Sequence, residues 1–135
     1  MLVGHALPCQ LTMIRVLLVD DNGQFRAVLR RLLEREADIE VIDEADNGRS
    51  AVEAAIAQQP DLVLMDVSMP RLDGIAATRE LRDEAPHISV VLLSIGNKPQ
   101  EVAAGLAAGA AKYMVKGATA NEIVDVVRRY GGDES

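Results

Sequence analysis

Five side chains have types and positions suited to binding a metal ion and a phosphoryl group. Asp20, Asp21, Asp66, Ser94 and Lys116 all follow or end short runs rich in Val, Leu, Ile and Met. Carboxylates held close together repel one another, so at least one pKa rises unless a cation is present. Mg²⁺ prefers oxygen ligands and would relieve that repulsion. A carboxylate nucleophile, a metal, a lysine and a hydroxyl donor together are typical of phosphoryl transfer to an aspartate.

Each of these residues also has an ordinary structural interpretation when it is considered alone. An aspartate after a strand is commonly a turn residue or a helix cap, and Asp21 or Asn22 is well placed to cap a first helix. Ser94 alone would be a turn hydroxyl, and Lys116 alone a surface lysine. Asp73-Gly74 predicts a turn and a helix start, without chemistry. The functional interpretation depends on finding all the polar positions at the ends of predicted strands.

The elements that must position these side chains alternate along the chain. Short apolar runs predict strands buried on both faces, at Arg15–Val19, Glu40–Ile42, Leu62–Met65, Ile88–Leu93 and Tyr113–Val115. Amphipathic stretches between them predict helices, at Gln24–Glu36, Ser50–Gln58, Ile75–Glu84, Pro99–Ala108 and Thr119–Arg129. This order predicts a doubly wound α/β fold with a parallel sheet and helices on both faces. Such folds bind ligands at the carboxyl ends of their strands.

Composition limits the classes of function. The 135 residues suggest one domain, and a 2% aromatic content predicts an aliphatic core. The net charge of −7 argues against direct nucleic-acid binding by this chain. The single cysteine, Cys9, excludes an internal disulfide and is consistent with a cytoplasmic location. No apolar run approaches the roughly 20 residues of a membrane helix. We expect residues 1–13 to be an extension, 14–130 the domain, and 131–135 a tail or linker start, with fraying from Tyr130.

Four segments resemble the receiver domain of bacterial response regulators, over about Ile14 to Tyr130. They are VLLVDD (Val16–Asp21), DLVLMDVSMPRLDG (Asp61–Gly74), VVLLS (Val90–Ser94) and GAAKYMVK (Gly109–Lys116). The character of VSMP and RLDGIAATREL is most like that of receivers in LuxR-type helix-turn-helix regulators. The resemblance implies a flavodoxin-like (βα)5 fold with strand order 2-1-3-4-5. It also implies a cytoplasmic protein of a two-component system.

The resemblance further implies a role for each acidic residue. Asp66 would accept a phosphoryl group from a sensor histidine kinase or a small phosphodonor, with Mg²⁺ as cofactor. Asp21, Asp66 and the Ser68 backbone carbonyl would bind the ion directly, and Asp20 would bind it through water. Lys116 would pair with the phosphoryl group. The chain would catalyse only its own phosphorylation and dephosphorylation.

A conformational switch is also implied by the resemblance. Ser94 would move to donate a hydrogen bond to the phosphoryl group, and Tyr113 would rotate into the space that Ser94 leaves. An ordinary half-buried aromatic is the alternative interpretation of Tyr113. The change would remodel the face of the fourth helix, fifth strand and fifth helix. Homodimers would form through that face or through the first and fifth helices, and a transcriptional output domain would lie outside this chain.

Two positions depart from the family pattern. Gly117 follows Lys116 where the family commonly has proline, which predicts a more mobile lysine. Ile95 replaces a small residue after Ser94, which predicts slow phosphorylation by small donors.

Three other functions stay open. They are a small magnesium-dependent phosphatase, a flavin or nucleotide binder, and a pseudo-receiver that is never phosphorylated. No GxGxxG motif or P-loop follows the first strand, which argues against the nucleotide binder.

Overall fold

The computed structural model describes residues 13–132. All of the predicted extension at 1–13 except Met13, including Cys9, and most of the predicted tail at 131–135 therefore lie outside the described residues. Five strands and five helices alternate without interruption. The strands are β1 (Ile14–Val19), β2 (Ile39–Ala45), β3 (Leu62–Asp66), β4 (Ser89–Ser94) and β5 (Lys112–Val115). The helices are α1 (Gly23–Glu34), α2 (Gly48–Gln58), α3 (Gly74–Glu84), α4 (Pro99–Ala108) and α5 (Ala120–Gly131).

The strands form one parallel sheet in the order β2-β1-β3-β4-β5, which confirms the predicted fold and strand order. The register aligns Val19 of β1 with Met65 of β3, and Met65 with Leu92 of β4. Leu92 in turn lies beside Tyr113 of β5. The residues that follow this row therefore emerge together at one edge of the sheet. Every side chain with predicted chemistry lies at or just beyond that edge.

The helices cover both faces of the sheet and bury an almost wholly aliphatic core. On one face, Leu17, Val63 and Leu92 pack against buried residues of α2 and α3, such as Val52 and Leu81. On the other face, the strand residues that alternate with these pack against Leu29 and Leu33 of α1 and against α5. This alternation along each strand is the geometry of a sheet buried on both sides. The strands that carry the site residues are therefore packed between helices on both faces.

Caps define where most of the helices begin. Asn22, not Asp21, caps α1 by accepting hydrogen bonds from the N–H groups of Gln24 and Phe25. Asp73 caps α3 in the same manner. Thr119 and Glu122 form a capping box at the start of α5. Asp21 is therefore free of a capping role and available to the site.

Most boundaries lie one to three residues from the predicted ones, and two of these differences have a clear structural reason. Strand β2 continues to Ala45, beyond the predicted end at Ile42, because Asp43 and Glu44 pair with β1 after a register shift. Helix α5 continues through Gly131, so the prediction of fraying from Tyr130 is wrong. The Tyr130 carbonyl accepts a hydrogen bond of 2.8 Å from the Ser89 hydroxyl. Among residues 13–132, none of the helices combines the length and apolar character needed to cross a bilayer.

Candidate functional site

All five side chains singled out from the sequence lie at the carboxyl edge of the sheet. Asp66 is the last residue of β3 and is 6% exposed, while Asp20 directly follows β1 and is 1% exposed. Ser94 ends β4 and is also buried, and Lys116 directly follows β5. Asp21 is exposed at the rim. With the exception of the buried Asp20, these residues line one open cavity of about 450 Å³.

The acidic residues form a compact cluster. Asp20, Asp21 and Asp66 each offer one carboxylate oxygen, and the three oxygens lie within 4.8 Å of one another. Only one cation of the described residues is paired with the cluster: the Lys116 ammonium, 2.8 Å from Asp20 Oδ2 and 3.5 Å from Asp66 Oδ2. Three carboxylates against one ammonium leave the site with excess negative charge. This imbalance favours a further cation.

Asp20 shows most directly that the site suits a hard cation. Its Oδ1 accepts a hydrogen bond of 2.8 Å from the Asn22 N–H. Its Oδ2 is fully buried and, despite the nearby Lys116 ammonium, has no partner with the direction of a hydrogen bond. A buried carboxylate oxygen without such a partner is costly. Together with the oxygens of Asp21 and Asp66, it makes a donor set that fits Mg²⁺.

The pKa values of Asp66 and Lys116 are coupled through this geometry. Burial raises the pKa of the Asp66 carboxyl above its ordinary value, and the neighbouring charge of Asp20 raises it further, while Lys116 opposes the shift. Burial alone would lower the pKa of the Lys116 ammonium, but its close ion pair with Asp20 and the charge of Asp66 outweigh that effect and raise it. Lys116 therefore stays charged and favours the ionised form of Asp66.

Side chains of α1 hold two of these groups in place, and sequence reasoning did not single them out. Arg26 donates a hydrogen bond of 2.6 Å to the Asp20 backbone carbonyl and is itself paired with Glu44 at 2.8 Å. The Phe25 ring lies under the Lys116 ammonium, with 4.6 Å between the nitrogen and the ring centroid. This is a cation–π contact. The helical apolar stripe predicted a core position for Phe25, with no signal for the lysine.

The loop after Asp66 is held close to the strand. The Ser68 N–H donates to Asp66 Oδ1 at 3.4 Å, and the Gly74 N–H donates to the Val67 carbonyl at 2.8 Å. A Cβ at Gly74 would lie 2.2 Å from the Asp66 carbonyl oxygen. Gly74 is therefore required by a close approach of backbones, beyond the turn that the sequence predicted. Pro70 begins a bend in this loop, where the Leu72 N–H donates to the Pro70 carbonyl at 2.8 Å.

Ser94 and Tyr113 are joined by a residue that the sequence did not identify. The Tyr113 hydroxyl donates a hydrogen bond of 2.8 Å to Glu101 Oε1, and the Ser94 hydroxyl lies 3.4 Å from the same oxygen. Burial raises the pKa of the Tyr113 phenol; the Ser94 hydroxyl opposes this shift, and Glu101 adds to it. Glu101 lies in the first turn of α4. Only the folded path of the β4–α4 loop brings it to the site.

The two departures from the family pattern are less intrusive than predicted. Ile95 lines the cavity but is 88% exposed, so its side chain stands in solvent at the rim and does not form a buried wall. A Cβ at Gly117 would meet no atom within 4 Å. The Lys116 N–H nevertheless donates to the Ser94 carbonyl at 2.7 Å. The backbone at the lysine is therefore tied to the sheet.

Comparison with known proteins assigns this arrangement to a family. The protein-family model described as the response regulator receiver domain matches residues 16–128. The chain belongs to the response regulator receiver family. This confirms the resemblance stated from the sequence, and with it a role in two-component signalling.

Individual relatives support the same assignment. The chain is 37% identical to the response regulator protein VraR of Staphylococcus aureus over 122 residues, which is 90% of this receiver chain and 58% of VraR. It therefore spans about three fifths of the length of such curated relatives. The receiver domain of the response regulator NarL from Mycobacterium tuberculosis has a TM-score of 0.85 at 34% identity, covering 87% and 95% of the two chains. These relatives are consistent with the predicted LuxR-type character.

A third relative was crystallised with a phosphoryl mimic. CheY of Borrelia burgdorferi, in a complex with CheX, BeF3 and Mg²⁺, has a TM-score of 0.82 and 26% identity to this receiver. The alignment covers 87% of this chain and 89% of CheY.

Proposed function

We propose that this receiver is a phosphorylation-activated switch that accepts a phosphoryl group on Asp66 from a sensor histidine kinase. The observation that carries the proposal is the Asp66 carboxylate at the end of β3, facing an open cavity and 3.5 Å from the Lys116 ammonium. An anionic nucleophile beside a fixed cation is the arrangement that phosphoryl transfer requires. A kinase of this kind places the protein in the cytoplasm.

The residues present fit a resident Mg²⁺ ion. We assign its direct ligands to Asp21, Asp66 and the Ser68 backbone carbonyl, with Asp20 bound through water. The buried Asp20 Oδ2, which lacks a directed hydrogen bond, and the closeness of the three carboxylates support this assignment, as does the presence of Mg²⁺ in the CheY complex. When bound, the ion neutralises charge on the transferred phosphoryl oxygens.

The chain's own side chains then have separate roles. A carboxylate oxygen of Asp66 bonds to phosphorus while the bond from phosphorus to the histidine nitrogen of the kinase breaks. Lys116 pairs with the phosphoryl oxygens and keeps Asp66 ionised. Ser94 donates its hydroxyl hydrogen to one of those oxygens. Tyr113 then moves toward the space beside Ser94, which carries the change to the surface.

That surface is the α4–β5–α5 face, which we propose transmits the signal. Beside Tyr113 it carries an apolar groove lined partly by Val102, Ala103 and Leu106, and Leu106 is 47% exposed. Homodimerisation through this face, or through α1 and α5, would follow phosphorylation. Because the relatives that the chain matches are longer, we propose that the regulated output is a DNA-binding domain in the full-length protein.

One experiment tests the core of the proposal. The protein is incubated with acetyl phosphate and Mg²⁺, and the intact mass is measured. We expect the mass of one added phosphoryl group in the wild type and in Asp83→Asn, a control at an exposed position of α3, and none in Asp66→Asn. No added mass in the wild type, with acetyl phosphate or a histidine kinase, would favour a pseudo-receiver. Steady hydrolysis of an external phosphate ester would favour the phosphatase alternative.

A further inference from the structure

Glu101 has a position that neither phosphoryl transfer nor metal binding explains. Its carboxylate lines the same cavity as Asp66 and Lys116. Within residues 13–132, no lysine or arginine forms an ion pair with it. Among the described residues, its side-chain hydrogen-bond partners are the hydroxyls of Ser94 and Tyr113. Both hydroxyls contact the same carboxylate oxygen, Oε1. A carboxylate without an ion-pair partner among the described residues therefore lines a site that must accept an anion, although Lys98 lines the same cavity.

The hydroxyl chemistry makes the Glu101 contact and the phosphoryl contact mutually exclusive. A serine hydroxyl has one hydrogen to donate. While the Ser94 hydroxyl points at Glu101, it cannot donate to a phosphoryl oxygen on Asp66. Tyr113 is held to the same carboxylate at 2.8 Å, a normal length for an O–H···O hydrogen bond. Movement of either hydroxyl therefore requires separation from Glu101.

The helix that carries Glu101 is suited to respond. Lys98 precedes α4 without a side-chain capping hydrogen bond, and Pro99 begins the helix. Glu101 is the acidic residue of the first turn, and its carboxylate bonds to β4 and β5 side chains instead of capping the helix. Loss of that contact would free the start of α4 from the sheet.

We propose that Glu101 is a positioning residue that latches Ser94 and Tyr113 in the unphosphorylated arrangement and is displaced when a phosphoryl group forms on Asp66. The proposal rests on the proposed function of Asp66. The latch would slow phosphorylation in two ways, since it occupies the Ser94 donor and repels the incoming anion. Its release would couple the chemistry at Asp66 to the position of α4.

The test compares Glu101→Gln, which keeps the size and removes the charge, with Glu84→Gln as a matched control. Glu84 is an exposed glutamate at the end of α3, at the opposite edge of the sheet. Phosphorylation by acetyl phosphate with Mg²⁺ should be about fivefold faster in Glu101→Gln, the size expected for one ordinary hydrogen bond. The control should match the wild type. Equal rates in all three proteins would overturn the latch.

Two further measurements separate a latch from a simple charge effect. The chain has two tyrosines, so Tyr113→Phe assigns their ring NMR signals. In the unphosphorylated protein, Glu101→Gln should shift the Tyr113 signals toward those of the wild type with beryllofluoride and Mg²⁺. The rate gain of Glu101→Gln should also shrink in a Tyr113→Phe background. Unmoved signals, or an undiminished gain, would contradict the latch.

The NMR measurement uses unphosphorylated protein. It therefore still tests the contact if the wild type accepts no phosphoryl group, an outcome that would overturn the proposed function instead. If Glu101→Gln does not fold, Glu101→Ala takes its place with the same expected shift and rate gain.

Discussion

Replacing Asp66 with asparagine should stabilise the protein when no divalent ion is present. The Asp66 carboxylate lies within 4.8 Å of oxygens of Asp20 and Asp21, and 3.5 Å from the Lys116 ammonium. At an effective dielectric constant of about 20, each contact is worth roughly 3 to 5 kcal/mol, and two of the three are repulsive. Their balance is a repulsion of about 2 kcal/mol. Because Asp21 is exposed and screened by water, we expect a gain of about 1 kcal/mol.

The assay is urea unfolding in EDTA near neutral pH and at low salt, with Asp83→Asn as the control. The control should stay within about 0.5 kcal/mol of the wild type, as expected for a surface change. Asp66→Asn should also melt about 3 to 4 °C higher. Added Mg²⁺ should reduce or reverse the difference, since the ion binds and stabilises the wild type preferentially.

The pH dependence of this difference follows from the Asp66 pKa. Burial and the charge of Asp20 raise that pKa above the ordinary 3.8, despite Lys116. Protonation of Asp66 is therefore more favourable in the folded state. Its contribution to stability is present in full below the unfolded pKa and is lost as the pH rises through the folded pKa. The advantage of Asp66→Asn should shrink on acidification. A mutant less stable than the wild type in EDTA would refute the crowded acidic pocket.

Four other substitutions test separate parts of the site. Lys116→Met leaves Asp20 and Asp66 without their cation and should lower the free energy of unfolding by about 2 kcal/mol. Urea unfolding in EDTA measures this loss, and unchanged stability would contradict the ion pairs. Gly74→Ala places a Cβ 2.2 Å from the Asp66 carbonyl oxygen and should cost more than about 2 kcal/mol by thermal unfolding, whereas Gly117→Ala, with open space, should cost less than about 0.5 kcal/mol. Ile95→Ala should accelerate phosphorylation by acetyl phosphate slightly, and equal rates would exclude any obstruction.

The part of the site that could be predicted depends on regular geometry. Apolar periodicity locates the strands, and a parallel sheet brings their carboxyl ends to one edge. Asp20, Asp66 and Lys116 follow from that rule alone, because each lies at or next to the end of a strand. The chemistry of the cluster then follows from its charges, without knowledge of side-chain conformation. Their catalytic roles stay predictions until phosphorylation is measured.

The residues that could not be predicted depend on contacts between elements far apart in sequence. Arg26 and Glu44 meet because α1 packs beside β2. Glu44 lies in the part of β2 that the sequence prediction left out. Phe25 reaches Lys116 across 91 positions of sequence. Glu101 reaches the site through an irregular loop after β4. Helical periodicity specifies which face of a helix is buried, but it does not specify the neighbours of a polar residue at the helix end.

The mobility expected for Lys116 illustrates the difference. Gly117 gives the following backbone more freedom, and from sequence this predicted a loosely placed ammonium. In the structure, the ammonium contacts Asp20, Asp66 and the Phe25 ring, and the lysine N–H is bonded to the Ser94 carbonyl. These contacts oppose the mobility that Gly117 predicts for the lysine. Control of phosphorylation is therefore better sought across the cavity, where Ser94 must leave a carboxylate before it can bind the phosphoryl group.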